Sequence, residues 1–470
     1  MAFETIIGLE VHIELQTKTK IFCNCPNSFG KKPNSLTCPV CMGLPGTLPS
    51  LNKSVVDYGI RTALALNSKV SEVTIMDRKN YFYPDLPKAY QISQLYHPLG
   101  TGGGLEISTS KGNKVIRIHE LHMEEDAGKL IHDKDTGRTL IDYNRCGVPL
   151  IEIVTEPDFR SGEEVVAFLD LLRRTLIFAG VSDCKIEEGS MRVDVNLSVR
   201  EEGMPLGIRT ETKNLSSFKA VANAIEYESK RQTEVIKSGG QVSMETRRFD
   251  ENKLVTVAMR PKEECYQYKY FPEPDILPIH ISEEYVEKIR KELPELPSDI
   301  KKRLIEEDEL PPYDSDILTT DPYLYDLYNR TCAITKNPKE SSNWILTEFM
   351  KMDSPDGRRN FSKDSLGIII NMVLSGKINR QSGKEVLLFI FENGGSPEQV
   401  VQEKGLSMIS DEEVISSKIK EVLANNPKAV QEYKSGIGKS FGFLMGNSMR
   451  ALDNKADPSL VRTILTKLLK

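Results

Sequence analysis

The sequence predicts an α+β protein: an antiparallel sheet covered by helices on one face, then an all-α helical domain and a small helical tail. Two observations carry this. Before residue 290, apolar and polar side chains alternate strictly over long stretches, the period of a half-buried strand. After Pro294-Glu-Leu-Pro-Ser-Asp299, which reads as a linker, apolar residues recur at helical spacing. At 470 residues the chain is too long for one core, and roughly two to four domains are expected. The composition places them at 1–293, 294–405 and 406–470.

Composition narrows the class. With 39% hydrophobic and 28% charged residues the chain is an ordinary globular protein. Net charge is 62 minus 68, or −6, so contact with nucleic acid must come from local basic patches. The apolar run Leu366 to Leu374 is far short of the roughly 20 residues that span a bilayer. The N-terminus has no basic stretch ahead of an apolar core, so no secretory signal is read and a cytosolic location is expected.

The first strand is Gly8 to Leu15. Leu9, Val11, Ile13 and Leu15 form its apolar face; Glu10, His12 and Glu14 form the polar one. Four of the eight cysteines follow as a C-x-C and C-x2-C pair, Cys23, Cys25, Cys38 and Cys41. In a cytosolic chain this spacing points to a closed, structural zinc site, because two close thiolate pairs can complete a tetrahedron. Cys146, Cys184, Cys265 and Cys332 are scattered and are read as packing residues.

Asp77-Arg-Lys-Asn-Tyr-Phe-Tyr-Pro-Asp-Leu-Pro-Lys-Ala-Tyr-Gln-Ile-Ser-Gln94 mixes tyrosines, cations and two prolines, and fits neither a helix nor an ordinary strand. It reads as a stiff loop displaying rings beside cations, the combination that holds a base or sugar next to a phosphate. Thr101-Gly-Gly-Gly104 opens no helix, so it reads as a turn and not as a phosphate cradle. A helix is expected from Gly162 to Ala179, opened by a capping box of Ser161 and Glu164. Met191 to Arg200 alternates like the first strand, with Arg192, Asp194 and Asn196 on its polar face, and a second helix runs from Ser216 to Ile236.

Further helices are expected near 299–308, 321–334, 341–352, 362–375 and 380–392. The tail opens on a capping box of Ser410 and Glu413 and closes on a helix begun by Asp457-Pro458. Over residues 434–470 it carries Lys434, Lys439, Arg450, Lys455, Arg462, Lys467 and Lys470 against Asp453 and Asp457, a basic module suited to an RNA backbone.

The polar strand faces repeat one set of groups: Glu10 and His12; Glu124 and Glu125 from His122-Met-Glu-Glu-Asp126; Arg192 and Asp194; Glu211 and Lys213. Carboxylates with an imidazole suit Mg2+ bridging to phosphate oxygens, with Arg and Lys to offset charge. No Walker loop is present, so the sequence gives no support to a P-loop NTPase.

Gly8-Leu-Glu-Val-His12, the 77–94 block, Leu121-His-Met-Glu-Glu-Asp-Ala-Gly-Lys129, Asp142 to Val154, Glu187 to Asn196, Lys213-Asn-Leu-Ser-Ser-Phe218, Tyr270 to Asp275 and Gly438 to Gly446 follow in order. Together they resemble the GatB family, the B-subunits of the aspartyl/glutamyl-tRNA amidotransferases, essentially end to end. The resemblance implies a cradle resembling glutamine synthetase, a helical domain and a tail that contacts tRNA. It also implies an activity: ATP and Mg2+ phosphorylate the side-chain carboxylate of glutamate misloaded on tRNA(Gln), or aspartate on tRNA(Asn), and ammonia then displaces phosphate. Expected partners are an amidase (glutaminase) A-subunit that supplies the ammonia, a small C-subunit and the misacylated tRNA. Carried over by motif, Glu10, His12, Glu124, Glu125, Asp194 and Glu211 surround magnesium, and Lys79, Tyr81, Lys88, Tyr90 and Arg192 line the ATP or aminoacyl-adenosine pocket. Zinc on Cys23, Cys25, Cys38 and Cys41 is a structural option in such a family. The rival reading is a non-catalytic tRNA-binding scaffold with a structural zinc site. Around Tyr266 to Phe271, Gln267 and Lys269 replace the acid and arginine usual in the family.

Overall fold

The computed structural model describes residues 2–133, 135–261 and 268–470. The chain divides into two compact units, Met1–Pro297 and Ser298–Lys470. The boundary falls inside the expected linker, though Pro297 already begins a helix, Pro297–Glu306.

The first unit runs β1 (Phe3–Glu14), α1 (Lys53–Ala65), the ribbon of β2 (Asp77–Asn80) and β3 (Tyr90–Ser93), β4 (Gly112–Glu125), β5 (Pro149–Thr155), α2 (Gly162–Phe178), β6 (Met191–Glu201), β7 (Thr210–Lys213), α3 (Phe218–Lys237), β8 (Glu245–Asp250) and β9 (Val255–Pro261). A ten-stranded sheet is ordered β9-β8-β7-β6-β1-β5-β4 and continues through Gly100–Thr101 and Lys69–Val70, with Gly104–Thr109 also paired to β4. The sheet is mixed, not purely antiparallel, because β7 and β8 pair in parallel. Parallel neighbours need a crossover of about a dozen residues or more, and the 20-residue α3 supplies it.

Alternation along the strands sorts the faces. Leu9, Val11 and Ile13 of β1, Val193, Val195 and Leu197 of β6, and Ile151 and Ile153 of β5 pack with Phe168, Leu169 and Leu172 of α2 into one core. Each full burial of such a side chain contributes about 1.5–3 kcal/mol, so a one-residue slip that wets this face is strongly disfavoured. The register this fixes sets Glu10 opposite Asp194, and His12 opposite both Arg192 and Glu152. The other face is left for chemistry.

Both long helices start where capping residues direct. The Ser161 hydroxyl accepts from the Glu164 amide at 3.3 Å, and Ser217 caps α3. Helix α1 departs from the expected pattern: it lies in the part of the chain read as strand-rich, and it buries Val55, Val56, Ile60 and Leu64. The 77–94 block is also a correction, since its two ends are paired strands and its prolines occupy the connecting loop. Four-residue strands without a regular alternation of buried and exposed positions leave too short a pattern to read.

The second unit is helical throughout its described elements. Many of its helices open on proline in the first turn, as in Pro322–Thr335, Pro338–Trp344 and Pro458–Leu469, where the missing N–H costs nothing. The 412–425 helix is capped by Asp411, which accepts from the amides of Glu413 and Val414, and not by Ser410. A carboxylate one residue nearer the helix also meets its positive end. The last helices share a core of their own around Ile415, Ile419, Leu444, Val461 and Leu465.

Candidate active site

The open face of the sheet gathers two groups of metal-capable side chains. In the first, His12 Nε2 lies 3.5 Å from Glu124 Oε1 and 3.4 Å from Glu152 Oε2. His122 Nε2 approaches the same Glu152 oxygen at 3.0 Å, so that carboxylate sits between two imidazoles. Burial works against a charged His12, but Glu152 and Glu124 outweigh it and raise its pKa to about 9. Burial likewise opposes ionisation of Glu152, yet the two histidines hold its carboxyl well below the usual range. Glu124 is pushed up, by burial first and by Glu152 second, and its second oxygen is fixed by Gln91 Nε2 at 3.1 Å and the Ser93 hydroxyl at 3.3 Å.

The second group is Glu10, Asp194 and Glu211 from β1, β6 and β7. Asn196 Nδ2 donates to Glu10 at 2.9 Å, and Lys213 Nζ lies 2.6 Å from Asp194 and 2.9 Å from Glu211. Burial, then Glu152 and Glu211, raises the Glu10 carboxyl. Within each group the candidate ligand atoms lie within 4.8 Å of one another. The second set is all oxygen and fits a hard divalent cation; the first adds an imidazole and suits a broader range of metals.

A cavity of about 550 Å³ opens over these groups, lined by His12, Glu124, Asp194, Lys79, Tyr81, Arg145, Arg192 and Lys213. That volume is within the range of small-molecule sites. Arg192 and Arg145 both reach Asp126 Oδ2, at 2.8 and 3.3 Å, so one carboxylate holds two guanidiniums at the rim. Arg145 is further fixed by the carbonyls of Ala127 and Gly128, at 3.0 and 2.8 Å. Burial opposes the charge of Lys79, but Glu124 keeps its pKa above the ordinary value.

The expected residues therefore do not form one cluster. His12 and Glu124 lie together, Glu10, Asp194 and Glu211 lie together, and Arg192, Lys79 and Tyr81 line the same cavity. Glu125, Lys88 and Tyr90 do not join them. They line a second cavity of about 260 Å³ with Arg78, Cys23 and Cys41, where Lys88 pairs with Glu125. The cause is the period of two in a strand. Glu125 follows Glu124 and must face the other way, and along the β2–β3 ribbon Lys79 and Gln91 face one side while Arg78 and Ile92 face the other. Sequence reasoning missed Glu152, Asp126 and Arg145. Glu152 did leave a signal, as a lone acid inside the apolar run Pro149-Leu-Ile-Glu-Ile-Val154. Arg145 left none, because it sits on a one-turn helix, Tyr143–Arg145.

The catalytic-domain model of the GatB/GatE family matches residues 5–287, and the GatB domain model matches 326–469. The aspartyl/glutamyl-tRNA(Asn/Gln) amidotransferase B-subunit of Lachnoclostridium phytofermentans is 50% identical over 472 residues, covering 99% of both chains. Proteins of the same name from Caldicellulosiruptor saccharolyticus and Lachnospira eligens are 49% and 48% identical; the former covers all of both chains, the latter all of this chain and 99% of its own. The chain belongs to the GatB family of amidotransferase subunits. Both acid groups fall inside the span matched by that family's catalytic domain.

In this GatB chain the sulfurs of Cys23, Cys25, Cys38 and Cys41 also lie within 4.8 Å of one another and could hold a metal ion. Cys38 and Cys41 Sγ are 3.9 Å apart, close to the edge of about 3.8 Å for a tetrahedron with metal–sulfur bonds near 2.3 Å. A contact from Cys23 lowers the Cys41 thiol to about 5, and nearby Lys20 adds to the effect. Cys146 and Cys184 are buried and Cys332 is half-buried; Cys265 lies outside the described residues. Of the two departures from the family pattern, Gln267 lies outside the described residues. Lys269 is exposed, with its carbonyl accepting from Asn80 Nδ2 at 2.8 Å.

Proposed function

We propose that the chain is the ATP-dependent transamidating subunit that acts on glutamate misloaded on tRNA(Gln), aspartate misloaded on tRNA(Asn), or both. The observation that carries this is the pair of acid groups on one sheet face, bordered by Lys79, Arg145, Arg192 and Lys213. A carboxylate and a triphosphate repel each other, and a face that combines cation-binding acids with fixed cations offsets that repulsion. In the proposed reaction the side-chain carboxylate oxygen attacks the γ-phosphorus of ATP and ADP leaves. Ammonia then attacks the acyl carbon and expels phosphate, giving the amide.

Glu10, Asp194 and Glu211, with His12, Glu124 and Glu152, would hold Mg2+, which when bound screens phosphate charge. Arg145 and Arg192, fixed through Asp126, are placed to grip phosphate oxygens in a planar, bidentate way. Lys79 and Tyr81 reach the same cavity from the ribbon and would meet ATP or the terminal adenosine. Zinc is proposed for the four cysteines as a structural ion. The 406–470 tail is proposed to bind the tRNA backbone through its basic side chains, with 1–293 as catalytic cradle and 294–405 as a helical domain. An amidase A-subunit would supply the ammonia and a small C-subunit would complete the complex, working in the cytoplasm. Among the described residues no helix is long and apolar enough to cross a membrane.

The test is ATP hydrolysis by the assembled complex with misacylated, uncharged or no tRNA. Phosphate release that depends on misacylated tRNA is expected. Release without tRNA would indicate a small-molecule phosphotransferase. No release, with tRNA binding retained, would indicate a scaffold.

A further inference from the structure

Lys20 has no exposed surface. Its ammonium donates to the Leu36 carbonyl at 2.8 Å and lies 3.9 Å from Cys41 Sγ. Among the described residues no carboxylate is within ion-pair distance of it. A buried ammonium satisfied by a carbonyl alone costs several kcal/mol, so the fold must hold negative charge close by. The group in reach is the cysteine cluster. Four thiolates around a divalent ion carry a net charge of −2, and that charge also needs an offset where water is excluded.

We propose that Lys20 is the resident counter-cation of the four-cysteine centre, fixing it as a charge-compensated tetrathiolate; this rests on the zinc reading above. The arrangement is built into the backbone. The Lys20 amide donates to the Cys25 carbonyl at 3.0 Å, and the next residue, Ile21, donates to Gly147 at 2.9 Å. The aliphatic stem passes beside Gly147, where an added Cβ would lie 3.6 Å from Lys20 Cδ. The lysine is thus threaded between the cysteine loop and the turn that follows Cys146.

The experiment measures zinc affinity on the full chain by competition with a chromophoric chelator, for the native chain and for Lys20→Met, which keeps the unbranched apolar stem and removes the charge. The native chain is expected to bind one zinc, and Lys20→Met to bind it roughly 10- to 100-fold more weakly, the usual cost of losing a group that supports metal ligands. A native chain that binds no zinc overturns the zinc reading itself. A native chain and a Lys20→Met chain with equal affinity leave zinc in place and overturn the role of Lys20. A second measurement covers a variant that folds poorly. With zinc chelated, Cys41→Ser strands the ammonium, so Cys41→Ser combined with Lys20→Met is expected to unfold at a higher temperature than Cys41→Ser alone. An equal or lower midpoint for the double variant overturns the proposal.

Discussion

Glu124 and Glu125 are neighbours in sequence and belong to different cavities: Glu124 Oε1 lies 3.5 Å from His12 Nε2, while Glu125 pairs with Lys88 of the loop that joins β2 to β3. Their charge removals should therefore read out differently. Glu124→Gln is expected to weaken Mn2+ binding, used as a probe for Mg2+, by roughly 10- to 100-fold. Glu125→Gln should leave that affinity within about twofold. Instead it leaves the half-buried Lys88 ammonium without its carboxylate, which should show as a lower urea midpoint. Equal loss of Mn2+ binding in both variants would show that the two acids share one site.

The His12–Glu152–Glu124 arrangement makes the metal-free chain pH-sensitive. His12 has its pKa raised from 6.5 to about 9. The folded state then binds more protons than the unfolded state between those values, so stability falls as pH rises. The contribution is fully present below pH 6.5 and lost as pH passes through 9. Thermal midpoints taken across this window in chelator should decline, and His12→Gln should flatten the slope. An unchanged slope would assign the decline to other groups.

The sheet face was readable because Glu10, His12, Asp194 and Arg192 alternate with Leu9, Val11, Val193 and Val195, and burial forces such a pattern into one register. What the pattern could not supply was the meeting of distant strands. That Glu152 would stand opposite both His12 and His122 depends on which strands neighbour β5. The Asp126 link between Arg145 and Arg192 joins the residue just past β4, a one-turn helix and a strand, which share no common periodicity. The ribbon was unreadable for a related reason: Arg78 and Lys79 look alike as cations in one block, and only the pairing of β2 with β3 sends them to opposite sides.

Lys213 occupies the second acid group much as a metal would, with contacts to Asp194 and Glu211. A divalent cation entering this group competes with that ammonium. Unit charges about 4 Å apart near a protein surface interact by about 4 kcal/mol, so removing the ammonium should be felt strongly. Lys213→Met is expected to tighten Mn2+ binding by roughly tenfold or more while lowering the stability of the metal-free chain. Calorimetric titration with Mn2+ checks the first effect and urea unfolding in chelator the second. Weaker Mn2+ binding in the variant would mean that Lys213 orients the acids for metal instead of competing with it.

The Thr101-Gly-Gly-Gly104 run offers a test of why its glycines are there. Gly102 and Gly103 both have positive φ, at 64° and 90°. An added Cβ at Gly102 meets nothing within 4 Å, whereas at Gly103 it would lie 2.5–2.6 Å from the backbone of Leu66, Asn67 and Ser68. The glycine at 103 lets this turn lie against the end of α1, where Gly104 N–H also donates to the Leu66 carbonyl at 2.8 Å. Ala at Gly102 should cost only the left-handed backbone strain, about 1–2 kcal/mol. At Gly103 that strain is joined by a collision with main chain that no rotamer can relieve, so Gly103→Ala should cost clearly more, about 3 kcal/mol or above. Equal urea midpoints for the two variants would remove close approach as the reason for the glycine, leaving conformation alone. If the run instead cradled phosphate, both substitutions would raise the KM for ATP; the turn reading requires that KM stay unchanged in the folded Gly102→Ala chain.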